Sequence, residues 1–292
     1  MTNGPFSFDQ LVALAGPHLR HDVACPLCGP QPGRTATNRK RRVLRLWHEP
    51  GFISFYCVRC DAGGYAVDDN REPVSRAVLE RARAEREKFE RESAAKRLEV
   101  ARWLWQWRRP IVGSIAERYL REARGITGAL PGTLGFLPAR DDHPPALIAA
   151  FGIPAEPEPG VLTIAHTQVE GVHLTRLKPD GSGKDEREPV KKMIGRSSGW
   201  PIVLAPLNDS GGLGVVEGIE CGLSITSLIG VGVWVAGCAS RLPALAERIP
   251  TNEITIFAHT DDDGMRHATE LMRCLRVRGL YAAIAEPAEK FR

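Results

Sequence analysis

The sequence has no long apolar run, no amino-terminal signal pattern and no internal repeat. No apolar run reaches the roughly 18 residues that a membrane-spanning helix needs, so the sequence predicts no such helix. The first residues also lack the charged and apolar regions of a secretory signal. A soluble, cytoplasmic protein with no membrane partner is therefore the simplest interpretation.

The sequence also lacks a strong charge of one sign and an even set of cysteines. The formal net charge of the 292 residues is only +4, so an anionic partner must be argued from local clusters of charge. Seven cysteines, an odd number, argue against a complete disulfide framework. The length is sufficient for about two or three domains with cores of their own.

Four of the cysteines form two C-x-x-C pairs, Cys25 with Cys28 and Cys57 with Cys60. Four thiolates carried on two turns suit a tetrahedral Zn²⁺ ion in a closed structural site. Between the pairs, residues 43–47 and 52–56 have the pattern of two strands around a turn. This order predicts a β-rich zinc ribbon. Redox-active or incidental thiols are the alternative, and His48 is an alternative ligand.

Basic residues are concentrated between the two cysteine pairs. No acidic residue occurs among them, and such a run can neutralise phosphates. Nearby aromatic side chains could stack on bases, although they could equally fill the small core of the ribbon. We expect most of the aromatics to be core and the basic run to contact nucleic acid. The basic residues are Arg34, Arg39, Lys40, Arg41, Arg42 and Arg45, and the aromatics are Trp47, Phe52, Phe55 and Tyr56.

A long exposed helix is predicted over residues 73–109, because charges of both signs recur at helical spacing. It ends in Trp103, Trp105 and Trp107, which cannot share one helical face and predict a partly buried anchor. A short helix over 114–121 and a series of short strands follow. The strand region is basic, and cations ahead of an acidic site suit a polyphosphate or nucleic-acid backbone, with a solvated positive face as the alternative. These cations include Arg176, Lys178, Lys191 and Lys192.

After residue 206, short apolar runs alternate with helical patterns, which predicts an α/β fold with a parallel sheet flanked by helices. Glu217 ends the first strand, and Asp261, Asp262 and Asp263 follow the third. Ligands of α/β sheets bind at the carboxyl ends of the strands, and carboxylate oxygens suit Mg²⁺. The alternative is that the aspartates cap the helix that follows.

These residues carry a resemblance to a known family. The stretch 215–220, Val-Val-Glu-Gly-Ile-Glu, followed by an apolar strand and an acidic turn, resembles the Toprim domain of bacterial and phage DNA primases, topoisomerases and related nucleases. Residues 171–184 and 191–195 resemble the core of phage and plasmid primase-type proteins. With the zinc hooks in front, most of the chain resembles a zinc-ribbon plus Toprim DNA primase of bacterial, phage or plasmid type.

The resemblance implies an α/β Toprim-type primase core behind an N-terminal β-rich zinc ribbon and a helical connector. It divides the chain into a zinc-ribbon domain (1–70), a helical connector (71–124), a basic N-terminal part of the core (125–206) and a Toprim domain (207–292). It also implies that the zinc is structural.

The activity that the resemblance implies is synthesis of short RNA primers on single-stranded DNA by metal-dependent nucleotidyl transfer. The partners would be the template, ribonucleoside triphosphates and a replicative helicase on a separate chain. Glu217, Asp261 and Asp263 would be catalytic and hold Mg²⁺ or Mn²⁺. The register that fits the Toprim pattern most cleanly, however, places His259 and Asp261 at the two aspartate positions, and the imidazole suits Mn²⁺ or Zn²⁺ better than Mg²⁺. The resemblance also implies that Arg176, Lys178, Lys191 and Lys192 hold template or nucleotide.

Two other functions stay open beside priming. The same acids would serve a Toprim nuclease. A Toprim protein with a weakened metal site would act instead as a single-stranded-DNA-binding replication accessory, and a histidine at the ligand position favours this alternative.

Overall fold

The structure is a computed structural model and describes residues 2–16, 20–30, 36–57, 59–60, 62–69, 76–187 and 189–285. The chain divides into two compact units, Met1–Arg91 and Glu92–Arg292. None of the helices in these ranges is both long enough and apolar enough to cross a membrane. The finer division into four domains remains a prediction.

The first unit is built on one antiparallel sheet with the strand order β1-β5-β4-β3-β2. The predicted strand pair is confirmed as β3 and β4, which pair from Leu44 opposite Cys57 to Glu49 opposite Phe52. The elements are β1 (Thr2–Asn3), α1 (Phe8–Ala15), β2 (Arg20–Ala24), α2 (Ala36–Arg39), β3 (Arg42–Glu49), β4 (Phe52–Cys57) and β5 (Gly63–Val67).

Helix α1 covers one face of this sheet. It begins with a capping box, in which Ser7 and Gln10 exchange side-chain and backbone hydrogen bonds. The apolar pattern of residues 5–20 predicts a short amphipathic helix here. The helix ends at Gly16, whose φ of 61° favours glycine, and is therefore shorter than that pattern. Leu11 and Ala15 of α1 are buried in this core. Because side chains alternate along a strand, the inward residues of β3 and β4 pack in the same cluster: Leu44, Leu46, Ile53 and Phe55.

The second unit contains an antiparallel sheet and a mixed sheet. The boundary between the units falls within α3 (Arg76–Gln106), which is followed by α4 (Ile115–Arg118) and a π-helical turn, Tyr119–Ala123. The strands and remaining helices are β6 (Leu134–Leu137), β7 (Ala146–Phe151), β8 (Ala155–Glu158), β9 (Val161–Thr163), β10 (Gly171–Arg176), β11 (Lys191–Gly195), β12 (Ile202–Ala205), β13 (Leu213–Val216), α5 (Ile219–Ile229), β14 (Gly232–Val235), β15 (Ile254–Phe257), α6 (Asp262–Val277) and β16 (Ala282–Ala285).

The antiparallel sheet has the order β11-β10-β7-β6, and its two faces are buried in different cores. The end of α3 covers one face through Trp105, which is fully buried and donates from its ring nitrogen to the carbonyl of Ile164 at 3.2 Å. Trp103 and Trp107 are exposed. The predicted tryptophan anchor is therefore confirmed for Trp105.

The mixed sheet has the order β12-β14-β13-β15-β16. Strands β14, β13, β15 and β16 run parallel, and β12 pairs with β14 in the antiparallel direction. Helix α5 packs on one face, and α6 packs on the other. The sequence pattern over 240–248 predicts a helix between β14 and β15, and this prediction is wrong. Two short 3₁₀ helices, Ala239–Arg241 and Pro243–Glu247, occur there, where Pro243 has no amide hydrogen to donate.

Candidate functional site

The two cysteine pairs meet in the first unit. The sulfur atoms of Cys25, Cys28, Cys57 and Cys60 all lie within 4.8 Å of one another. The Sγ–Sγ distances are 3.9 Å for Cys25–Cys60 and 3.7 Å for Cys28–Cys57. A Zn–S bond of about 2.3 Å in a tetrahedron gives sulfur separations of about 3.8 Å. The predicted Cys₄ site is therefore confirmed as a cluster, and its geometry fits structural zinc.

Burial disfavours negative charge on the cysteines of this cluster. Three of the four cysteines are buried. Burial, aided by the neighbouring thiols, raises the pKa of Cys28 to about 12. Thiolates are the zinc-binding form of cysteine, so a bound divalent ion would offset the cost of the charges that burial disfavours.

One member of the basic run, Arg45, pairs with an acidic residue of the neighbouring strand. Arg45 donates to both carboxylate oxygens of Asp22 at 2.8 and 2.9 Å, which lowers the pKa of that carboxyl. The register of β2 with β3 sets these residues opposite each other. Arg34 lies outside the described residues. The other members of the run are exposed: Arg39, Lys40, Arg41 and Arg42.

Aromatic side chains also line the outward face of this sheet. Phe55 is core, as predicted, but Trp47 and Phe52 are half-buried and Tyr56 is exposed. Tyr65, which sequence reasoning missed, stacks on Phe52 with ring centroids 5.6 Å apart. The expectation that most of these aromatics are core is therefore wrong, because strand alternation places only Phe55 on the inner face.

Glu217 and His259 meet at the carboxyl edge of the mixed sheet. Each follows a strand, β13 or β15, and these strands are parallel neighbours. The distance from His259 Nε2 to Glu217 Oε2 is 3.9 Å, and both side chains are partly exposed. The structure thus places His259, a ligand in the register that fits most cleanly, beside Glu217.

The three aspartates at the end of β15 have separate local roles. Asp261 is the N-cap of α6 and accepts a hydrogen bond from the Gly264 amide at 2.7 Å. Asp263 is exposed and accepts from Arg266 at 2.9 Å. Among the described residues, the Cys₄ cluster is the one group of three or more metal-ligand side chains that lie within 4.8 Å of one another. Glu217, Asp261 and Asp263 therefore do not form such a group, and the capping alternative describes Asp261. Their joint role as metal ligands remains a prediction.

The donor set at this edge is mixed. A carboxylate from Glu217 and an imidazole from His259 fit Mn²⁺ or Zn²⁺ better than an all-oxygen Mg²⁺ site. The residues as placed would supply part of a divalent-cation site, and a carboxylate of the following turn would have to turn towards them to complete it.

A buried charge network lies beside Glu217. Glu220, in the first turn of α5, accepts from Lys184 Nζ at 2.6 Å and from the Tyr119 hydroxyl at 2.8 Å. Burial alone would raise its pKa, but Lys184 and Lys191 prevail and lower the pKa to about 2. Burial and then Lys191 lower the pKa of His173 to about 4. Glu220 is therefore an anion held among cations, next to a neutral imidazole.

The four cations predicted to hold template or nucleotide do not form one patch. Lys191 is on the face of the antiparallel sheet that carries His173 and acts on Glu220. Arg176 and Lys192 are on the opposite face, because alternate positions of a strand point to opposite sides. Lys178 pairs with Glu186 at 3.0 Å on the surface.

Substitutions of Asp261 test whether its side chain caps α6. Because serine also caps helices, Asp261→Ser should unfold at the wild-type temperature, whereas Asp261→Ala should lose about 1 kcal/mol of stability. Thermal unfolding checks this expectation, and Asp263→Ala, which removes an exposed ion pair, is the matched control. Equal losses for the serine and alanine variants would contradict the capping role.

Comparisons with known proteins give a partial family match and distant similarity to solved structures. Residues 95–204 match the model of a family described as a domain of unknown function, DUF7146. No curated protein is significantly similar to the chain. The crystal structure of the Aquifex aeolicus primase (zinc binding and RNA polymerase domains) is similar with a TM-score of 0.43 and 17% identity, over 94% of this chain and 74% of that chain. The DUF7146 match ends before Glu217 and begins after the zinc module.

Proposed function

We propose that the protein is a metal-dependent DNA primase of the Toprim class, which joins ribonucleotides on a single-stranded DNA template. The observation that carries the proposal is the position of Glu217, at the carboxyl end of a parallel strand and three residues before the Lys184–Glu220–Tyr119 network. Open α/β sheets place their sites at this edge. Cationic groups beside a carboxylate suit a substrate whose reacting group is a phosphate.

In this proposal the acidic edge binds the catalytic ion. Glu217 and Asp261, with His259 or Asp263, would hold Mg²⁺ or Mn²⁺, which neutralises phosphate charge and activates the attacking hydroxyl when bound. Glu220 holds Lys184 in place, and Lys191, on the same side, faces the incoming triphosphate. Phosphoryl transfer requires positioning and charge stabilisation more than covalent chemistry from the protein, and these side chains supply both.

The zinc module would hold the template. Its outward sheet face combines Trp47, Tyr56 and Tyr65 with exposed cations at the start of β3. Aromatic faces that stack on bases, beside cations that follow a backbone, are the features by which proteins bind single strands. In this proposal the protein binds template and nucleotides in the cytoplasm, and the replicative helicase is a separate chain.

A second candidate function is a single-stranded-DNA-binding accessory of the same fold with a weakened metal site. The observations that favour it are the capping role of Asp261 and the pairing of Asp263 with Arg266. Both aspartates would then be structural, and His259 would stand where a catalytic site needs an oxygen ligand.

The test is incubation of the whole chain with unlabelled single-stranded DNA, labelled ribonucleotides and either Mg²⁺ or Mn²⁺. Short labelled products that require template support the primase. In a parallel reaction with labelled template, shortening of the template would indicate a nuclease. Template binding with neither product would reject the primase in favour of the accessory.

A further inference from the structure

A cavity of about 550 Å³ lies between the end of α3 and the antiparallel sheet, on the face away from Glu220. Its walls are mostly apolar, from Leu104 on the helix to Leu174 on β10. Trp103 and Trp107 also line it, with 45% and 66% of their surfaces exposed. Large exposed apolar surface on a folded unit indicates a binding site more often than a single exposed residue does.

The spacing of two tryptophans places both of them in the wall of this cavity. Trp103 and Trp107 are four residues apart, so they share one helical face while Trp105 is buried on another. Their ring centroids are 6.1 Å apart and their planes are inclined at 46°. Because the rings are tilted and exposed, they leave aromatic surface available to a third flat group.

The rim of the cavity is cationic. Arg140 lies over the Trp103 ring, with its guanidinium carbon 5.9 Å from the ring centroid. Arg176 and Lys192 come from adjacent strands and also line the cavity. Asp141, which pairs with Arg140 at 3.6 Å, is the one acidic lining residue among those described. The net charge of the lining therefore favours an anionic occupant.

We propose that this cavity, which we call the tryptophan cavity, binds a single strand of DNA by stacking a base on Trp103 or Trp107, with phosphates at Arg176 and Lys192. Stacking on exposed indole rings needs an unpaired base, which a duplex does not offer. An acidic peptide would satisfy the cations but gains less from two adjacent exposed indole faces. The site extends the proposed function without resting on it, since binding here requires no catalysis.

Photocrosslinking locates the contact directly. A 20-nucleotide oligothymidylate that carries 5-iododeoxyuridine would be irradiated with the whole chain, and crosslinked peptides would be identified by mass spectrometry. We expect a crosslink on Trp103 or Trp107, and none when the oligonucleotide is a duplex. Crosslinks confined to other residues would overturn the proposal, as would displacement of the strand by an acidic peptide but not by unlabelled oligothymidylate.

Affinity measurements with the same oligonucleotide give a second readout. Trp103→Ala/Trp107→Ala should weaken binding at least fivefold, the lower limit for the loss of one stacked base. Arg176→Ala/Lys192→Ala should reduce the slope of log affinity against log salt by about 1.4, for two lost phosphate contacts. The matched controls are Tyr281→Ala, which removes another exposed aromatic, and Arg273→Ala/Arg276→Ala on α6. Unchanged affinity and salt slope in both cavity variants, with circular dichroism that shows them folded, would overturn the proposal.

Discussion

Cys28→Ser should abolish zinc binding and unfold the antiparallel sheet of the first unit. Cys28 is fully buried, and the Cys₄ cluster joins the end of β4 to the turn after β2. A structural zinc ion contributes on the order of 10–16 kcal/mol in small zinc modules, more than a sheet of this size gains from its own core. Chelation of zinc from the wild-type chain should have the same effect.

Hydrogen exchange read by mass spectrometry, together with zinc content, checks this expectation. Peptides from β2 to β5 should lose protection in Cys28→Ser, whereas peptides from the mixed sheet keep theirs, because the cysteines belong to the first compact unit. Cys238→Ser is the matched control, since it removes a partly buried thiol of the second unit. Full protection of β2 to β5 in a zinc-free chain would contradict the account.

Lys184→Met should destabilise the second unit by about 3 kcal/mol. The substitution removes the one cation that pairs directly with the buried Glu220 carboxylate among the described residues, and breaking a buried pair from one side typically costs about 3–5 kcal/mol. The lower end applies because the Lys184 side chain is 30% exposed, so water screens part of the interaction. Lys184→Met/Glu220→Gln should recover much of this stability, because no uncompensated charge stays buried.

The same pair predicts a pH dependence. The pKa of Glu220 is lowered from 4.5 to about 2 in the folded chain, chiefly by Lys184 once the opposing effect of burial is overcome. A lowered pKa stabilises the folded state fully above the unfolded value, and this contribution is lost as the pH falls from 4.5 towards 2. In Lys184→Met, the free energy of unfolding should therefore fall less than in the wild-type chain as the pH is lowered from 4.5 towards 2.

Chemical denaturation at several pH values measures both effects. Lys178→Met is the control, since it removes a surface lysine that also pairs with a glutamate. A Lys184→Met variant that is as stable as Lys178→Met at neutral pH would show that the Glu220 carboxylate does not depend on Lys184.

The zinc cluster could be predicted from sequence because the ligand type and the short C-x-x-C spacing nearly determine its geometry. The order of the last four strands and of α5 and α6 followed equally from local patterns, such as the apolar run that ends at Glu217. Lys191 and Lys192 show where this reasoning ends. Alternation along β11 sends these neighbours to opposite faces, but which of the two faces meets Glu220 depends on the pairing of β11 with β10.

The contacts of the acidic site could not be predicted from local sequence, because they join residues that are far apart in the chain. Tyr119 and Glu220 are 101 residues apart in sequence, and no local pattern indicates that a tyrosine hydroxyl meets that carboxylate. Asp261 satisfied two interpretations equally well, as a ligand and as a helix cap. Only the start of α6 at Asp262 and the hydrogen bond from Gly264 identify the cap.

The most direct test of the central claim is the rate of primer synthesis by Glu217→Gln. Glu253→Gln is the matched control, because Glu253 precedes β15 at the opposite end of the parallel strands. We expect Glu217→Gln to retain its fold and its affinity for single-stranded DNA while primer synthesis falls by about a hundredfold or more. Equal rates of primer synthesis for Glu217→Gln, Glu253→Gln and the wild-type chain would contradict the assignment of the site to this edge of the sheet.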